Sequence, residues 1–252
     1  MNLSDKQLIE AFHLVFLRSL KTNLDSTLYS IKGGCNLRFF FESFRYSEDI
    51  DLDIAIISKE TLKKKIDNIL SSTPIRQGLS RFGIEIDHIS TPKQTDTVQR
   101  WKVGIKAKNK VMNIPTKIEF SRRMMESDRK AEPITNSILQ DYQIQPLILP
   151  HYLYATAVKQ KITALIHRTQ TQARDVFDLN LLFSKKIANK FSFSFEIEKA
   201  IDCVLGISFE DYSSQVVTYL IHEYIEYYQN KQVWDDMKIF VIDNLNKCHE
   251  AD

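Results

Sequence analysis

The apolar residues Leu8, Ile9, Phe12, Phe16 and Leu20 recur at helical spacing behind Ser4, a residue type that caps helix N-termini, so an amphipathic helix is expected from about Ser4 to Leu20. A short strand through Leu28 to Ile31 runs into the pair Gly33 and Gly34, and a helix from about Cys35 to Phe44 follows. The next run, SEDIDLDIAII, alternates with period two. It places Asp49, Asp51 and Asp53 on one strand face and Ile50, Leu52 and Ile54 on the other. ETLKKKIDNIL reads as a helix whose lysines, Lys63 to Lys65, form a solvated face. FGIEIDHIS, VQRWKVGIKAK and IPTKIEFS read as strands. Residues 126–149 are polar, proline-containing and weakly periodic, as a linker or substrate-facing loop would be. From His151 the apolar positions return to helical spacing through YLYATAVKQKITALIHR, ARDVFDLNLLFSKK, FEIEKAIDCV, SFEDYSSQVVTYLIHEYIEYYQ and VWDDMKIFVIDNLNKC. The pattern predicts an α+β protein: a mixed sheet with flanking helices in residues 1–125, a connection over 126–149 and a helical domain over 150–252.

Composition narrows the class. A chain of 252 residues with 11% aromatics and only six glycines and six prolines can bury a substantial core and is not of disordered type. The net charge of +2 announces no bulk affinity for nucleic acid, so any such surface must be a local basic patch. Cys35, Cys203 and Cys248 are widely spaced, without a CxxC pair, which suits a reducing compartment. The N-terminus lacks a basic region ahead of its apolar residues, and no run approaches the roughly eighteen apolar residues of a membrane span. A cytoplasmic protein with no membrane partner is expected. His13, His88, His151, His222 and His249 are scattered without zinc-ligand spacing. Cys35 has no histidine in fixed relation to it and is not expected to be a nucleophile, and Tyr219, Tyr224, Tyr227 and Tyr228 read as packing residues.

The chemistry concentrates in IKGGCNLRFFFESFRYSEDIDLD. Two glycines leaving a strand place no side chain between a phosphate and the backbone N–H groups that open the next helix. Carboxylates aligned on one strand face repel one another unless a cation neutralises them, and oxygen donors of this kind suit a hard divalent ion. Asp-x-Asp alone is common on solvated edges, and Gly-Gly alone is usually a turn. Together, in this order, they point to a metal and phosphate site. IPTKIEFS puts Lys117 and Glu119 on one face, which makes Glu119 a candidate third ligand, with Asp87 and Glu85 on a similar strand competing for the role. Farther on, Lys161 and Arg168 lie on one side of a helix, while Asp175 and Asp178 share a face of the next. The TQTQ break lets the two helices fold back and bring Lys161 to Asp175, either as an ordinary ion pair or as a fixed cation for triphosphate oxygens.

Taken together, KGGCNLRFF, RYSEDIDLDI, TKIEFS, KQKITALIHR and ARDVFDL resemble the AbiEii/AbiGii-type toxin nucleotidyltransferases, a branch of the DNA polymerase β-like nucleotidyltransferase superfamily, over about residues 28–185. The resemblance implies a nucleotidyltransferase-type mixed sheet followed by helices, with the nucleoside triphosphate (NTP) between the halves. It implies that Gly33 and Gly34 contact the triphosphate and that Asp49 and Asp51 hold Mg²⁺ or Mn²⁺; it favours Glu119 as third ligand and leaves Asp53 optional. The superfamily more often has Gly-Ser where this chain has Gly-Gly. The family's lysine and its RD motif fall on Lys161, Arg174 and Asp175, implying NTP binding for Lys161, with Arg174 beside it, and an essential acidic role for Asp175. Arg38, and Arg45 near the motif, are further candidates for the phosphates. The implied activity is transfer of a nucleoside monophosphate (NMP) to an RNA acceptor such as tRNA, with a cognate antitoxin as protein partner. Modification of a small molecule or protein side chain, and a catalytically silent nucleotide-binding module, are the alternatives.

Overall fold

The computed structural model of the protein describes residues 3–108, 110, 112–185 and 196–249, the last without its side chain. Lys186, Phe195 and the side chain of His249, which the sequence reading touched, lie outside the described residues. The chain divides into two units: Met1–Phe40 with Tyr46–Tyr152, and Phe41–Arg45 with Leu153–Asp252.

The first unit begins with α1 (Asp5–Asn23), opened by a capping box in which Ser4 accepts from the Gln7 N–H and the Gln7 side chain accepts from the Ser4 N–H. Phe12, Leu14, Phe16, Leu17 and Leu20 of α1 are all fully buried. Next come β1 (Tyr29–Lys32), α2 (Gly33–Phe40), β2 (Ile50–Ile54), α3 (Lys59–Ser71) and α4 (Thr73–Ser80). The strands β3 (Ile84–Gln94), β4 (Val98–Ala107) and β5 (Ile114–Ser121) follow, then β6 (Arg129–Pro133), α5 (Asn136–Asp141) and β7 (Ile148–Tyr152). One mixed seven-stranded sheet results, in the order β3-β4-β5-β2-β1-β7-β6. β2 runs antiparallel to β1 and parallel to β5.

One sheet face is apolar: Ile31, Ile50, Leu52, Trp101, Val103, Ile118 and Phe120 are buried there in one core with α1, α3 and α4. Trp101 Nε1 donates to Asp67 of α3 at 2.8 Å, which satisfies the polar end of a buried indole. The opposite face therefore carries the alternate residues of every strand, including the aspartates.

Residues 126–149 depart from the expected linker: they hold β6, α5 and the first two residues of β7, and β6 and β7 complete one edge of the sheet. β6 is a partly exposed edge strand without alternation, so it carries no period-two signal.

The second unit holds α6 (Tyr154–His167), α7 (Ala173–Ser184), α8 (Ile197–Leu205), α9 (Phe209–Gln215), α10 (His222–Tyr228) and α11 (Lys231–His249). The run expected as one long helix after Ser208 is broken after Gln215, where Val216 leaves helical geometry and a short 3-10 turn intervenes before α10. Phe41–Arg45, early in the sequence, belongs to this helical unit. The Ile221 N–H donates to the Phe44 carbonyl, and the Phe44 ring stacks 4.3 Å from Tyr224 and meets Phe177 edge-on at 5.3 Å. Tyr224 is thereby a packing residue.

Candidate active site

In the sheet unit, β1 ends at Lys32 and the chain turns at once into α2. Gly33 makes that turn with φ +65°, a conformation costly for any residue with a Cβ. The turn also brings the backbone against β2: a Cβ on Gly33 would lie 3.0 Å from Asp51 Oδ2. α2 is anchored away from this point. Asn36 donates to the Tyr152 carbonyl at 2.9 Å, and Arg38 forms a buried pair with Glu10, Nε–Oε1 2.6 Å and Nη2–Oε2 3.0 Å. Arg38, expected at the phosphates, is thus committed to the interior beside α1, and an anion at Gly33 would have to compete with Glu10 for it.

Register decides which carboxylates meet. Asp51 is the direct cross-strand neighbour of Glu119 on β5 and of Lys32 on β1. Asp49, just before β2, accepts from the Lys117 backbone N–H at 3.1 Å and from Lys117 Nζ at 2.6 Å. Glu119 accepts from Arg100 Nε at 2.6 Å. Asp53, farther along the same face, is buried and takes Lys32 Nζ at 2.5 Å and the Tyr152 hydroxyl at 2.8 Å. Its charge and lone pairs are therefore matched within the protein. Asp87, the competing carboxylate, accepts from Asn113 at 2.7 Å, and Glu85 lies opposite Lys106 at the sheet's edge.

Among the described residues Asp51 receives no such direct partner. Burial pushes its carboxyl up; Lys117 pulls it down, but the Asp49 and Glu119 carboxylates push it up again, and it stands above the ordinary aspartate range. A set of oxygen donors with unfavourable mutual charge is the donor chemistry of a hard divalent cation, and Gly33 puts no side chain between Asp51 and the backbone at the start of α2. Asp49, Asp51 and Glu119 thus fit such an ion in kind. Among the described residues no group of three or more metal-ligating side chains is drawn onto a common point. Lys117 and Arg100 hold two of the three carboxylates as counter-ions.

Beneath this face lies a buried polar cluster that the sequence did not signal. Thr116 Oγ1 donates to the Glu48 carbonyl at 2.7 Å and sits 3.0 Å from His13 Nε2; His13 Nδ1 lies 3.7 Å from Cys35 Sγ, which donates to the Asp49 carbonyl at 3.2 Å. Burial lowers the His13 pKa to about 3 and raises that of the Cys35 thiol. Both side chains are neutral at pH 7. Cys35 therefore has a histidine beside it after all, yet remains a protonated thiol that fixes the Asp49 backbone carbonyl just before β2.

In the helical unit the turn between α6 and α7 brings Lys161 Nζ to 3.1 Å from Asp175 and 2.6 Å from Asp178. Arg168 Nε lies 2.8 Å from Asp175, and Arg45 Nη2 lies 3.0 Å from Asp178. Two fully buried carboxylates face three cations. Burial opposes ionisation of Asp178, but Arg45 and Lys161 outweigh it and hold its carboxyl below the ordinary range. Arg174 donates to the Gln172 side chain at 2.6 Å.

A family profile for the nucleotidyl transferase AbiEii toxin, of type IV toxin-antitoxin systems, matches residues 15–207, about three quarters of the chain. The chain belongs to the AbiEii family. Its match takes in the glycine turn, the aspartate strand, Glu119 and the Lys161–Asp175 pair. Two crystal structures from Helicobacter pylori share the fold. One, a protein described as a candidate nucleotidyltransferase, has a TM-score of 0.60 at 21% identity and covers 97% of this chain and 98% of its own. The other, JHP933, has a TM-score of 0.58 at 20% identity and covers 99% of this chain and 97% of its own. No curated protein shows a significant match. As an AbiEii-family chain, it has no helix among the described residues long and apolar enough to cross a membrane.

Proposed function

We propose that this AbiEii-family chain transfers an NMP from an NTP to a hydroxyl of an RNA acceptor, tRNA being the favoured class, and that a cognate antitoxin restrains it. The observation that carries the reading is the position of Asp51, flanked on one side by the glycine turn and on the other by Glu119 in cross-strand register. Asp49, Asp51 and Glu119 would hold Mg²⁺ or Mn²⁺, which supplies charge neutralisation at the α-phosphate and at the attacking and leaving oxygens. Gly33 and Gly34 offer their N–H groups to the triphosphate at the start of α2. A carboxylate of the aspartate strand next to the acceptor takes the hydroxyl proton. The acceptor oxygen forms a new bond to the α-phosphorus as the bond to the β-phosphate oxygen breaks, and pyrophosphate leaves.

Lys161 and Arg174 are assigned to NTP binding, and Asp175 to holding Lys161 in place. The excess of one positive charge in the Arg45, Lys161, Arg168, Asp175 and Asp178 cluster supports an anion-binding role for it. Incubation with labelled NTPs, Mg²⁺ and total tRNA tests the reading. Label should enter RNA with the unaltered chain and fall to background with Asp49→Ala plus Asp51→Ala. Equal labelling by both proteins overturns it.

A further inference from the structure

Beyond the carboxylates, the same sheet face carries cations in an arrangement that the catalytic reading does not use. On β4, Arg100, Lys102 and Lys106 alternate with the buried Trp101, Val103 and Ile105, so they share the face of Glu119 and Asp51. Cross-strand register sets Lys102 opposite Lys117 of β5, and Arg100 opposite Lys93 of β3. Like charges directly opposite one another weaken a sheet, and here two such pairs adjoin. Arg100 and Lys117 have carboxylate partners, whereas Lys93 and Lys102, both exposed, make no ion pair among the described residues. Glu85 opposes Lys106, which limits the surplus at that end.

We infer that this face of the β3–β4 hairpin is the docking surface for the phosphate backbone of the RNA acceptor, with Lys93 and Lys102 as its principal contacts. The inference rests on the proposed transfer to RNA and adds where that RNA lies. Charge complementarity selects a polyanion, and length selects a chain over a single phosphate group. From Arg100 to Lys106 β4 rises by roughly 20 Å at about 3.4 Å per residue. That is longer than a single phosphate group and spans several nucleotides of a polynucleotide chain. The row also runs into Glu119 and Asp51, so a strand lying along it leads towards the carboxylates.

Fluorescence anisotropy with a labelled tRNA transcript, without NTP, tests this across a salt series. The comparison is between the unaltered chain, Lys93→Gln plus Lys102→Gln, and, as control, Lys64→Gln plus Lys65→Gln on α3, which packs against the other sheet face. Thermal melting checks that all three are folded; because Lys93 and Lys102 make no ion pair among the described residues and each stands opposite a like charge, their loss should not lower the midpoint. The hairpin variant should bind roughly tenfold or more weakly, with a slope of log K against log salt shallower by about 1.5–2, and the control should match the unaltered chain. Unchanged affinity and slope in the hairpin variant overturn the docking surface and leave transfer to RNA standing. No binding of the transcript by the unaltered chain, with label transferred to a different acceptor, overturns both.

Discussion

Replacing Asp178 with alanine removes a carboxylate that is fully buried between two cations, Arg45 at 3.0 Å and Lys161 at 2.6 Å. Lys161 keeps Asp175 at 3.1 Å, so the cation that loses its carboxylate is Arg45, itself only 4% exposed. Breaking a buried pair from one side costs about 3–5 kcal/mol, because the remaining charge cannot reach water. At a urea dependence of roughly 2 kcal/mol per molar, the midpoint should fall by roughly 1.5–2.5 M. Trp234, buried against Tyr212 in the helical unit, reports the transition once Trp101 is replaced by Phe in every protein compared. Asp235, partly exposed and paired with Lys238, is the control, and Asp235→Ala should shift the midpoint by less than about 0.5 M. The double variant Arg45→Met plus Asp178→Leu should recover more than half of the loss, since a buried cation and its carboxylate are then removed together. The Asp178→Ala defect should hold constant from pH 8 down to 5. The native carboxyl is ionised below its ordinary value near 3.8, so its stabilisation is present above that value and fades only in more acid solution. A shift for Asp178→Ala no larger than the Asp235 control, or a double variant as unstable as the sum of its parts, would refute the reasoning.

Other perturbations follow from single features. Gly33→Ala forces a Cβ into a backbone with φ +65° and to 3.0 Å from Asp51 Oδ2; urea denaturation should report a loss of about 1–2 kcal/mol, and NMP transfer should fall further than stability accounts for. His13 is neutral when folded, with its pKa lowered to about 3 from 6.5, so the unfolded chain binds the extra proton between those values. Stability of the sheet unit should therefore fall as pH drops below 6.5, by up to about 1.4 kcal/mol per unit, and His13→Gln should flatten that dependence. Mg²⁺ should raise the melting temperature of the unaltered chain and leave that of Asp49→Ala plus Asp51→Ala unmoved. An equal rise in both proteins would remove those aspartates from the metal site.

The period-two run in IDLDI and the glycine pair were legible because both are local. Alternation alone places Asp51 and Asp53 opposite Ile50, Leu52 and Ile54, and only glycine enters the φ +65° turn without strain. The helical spacing after His151 likewise carried through to α6, α7, α8 and α11. What failed to show was whatever lacked a period or depended on partners distant in sequence. β6 is a short edge strand with mixed exposure, and β7 is exposed only at Ile148, then buried, so residues 126–149 resembled a loop. Phe41–Arg45 packs with helices more than a hundred residues later, which no local pattern can announce.

Within the site, the sequence by itself determined which carboxylates could share a strand face and where a phosphate could reach the backbone. The tertiary structure decided which charges answer them. The parallel register of β2 with β5 set Glu119 beside Asp51 and gave Asp49 to Lys117, while β1 gave Lys32 to Asp53. Arg38, near the glycines in sequence, went to Glu10 because a helix turns successive residues to different sides, and position 38 of α2 faces α1. Alternation fixes the face of a side chain, but pairing between strands far apart in sequence fixes its neighbours, and the electrostatics of this site belong to the neighbours.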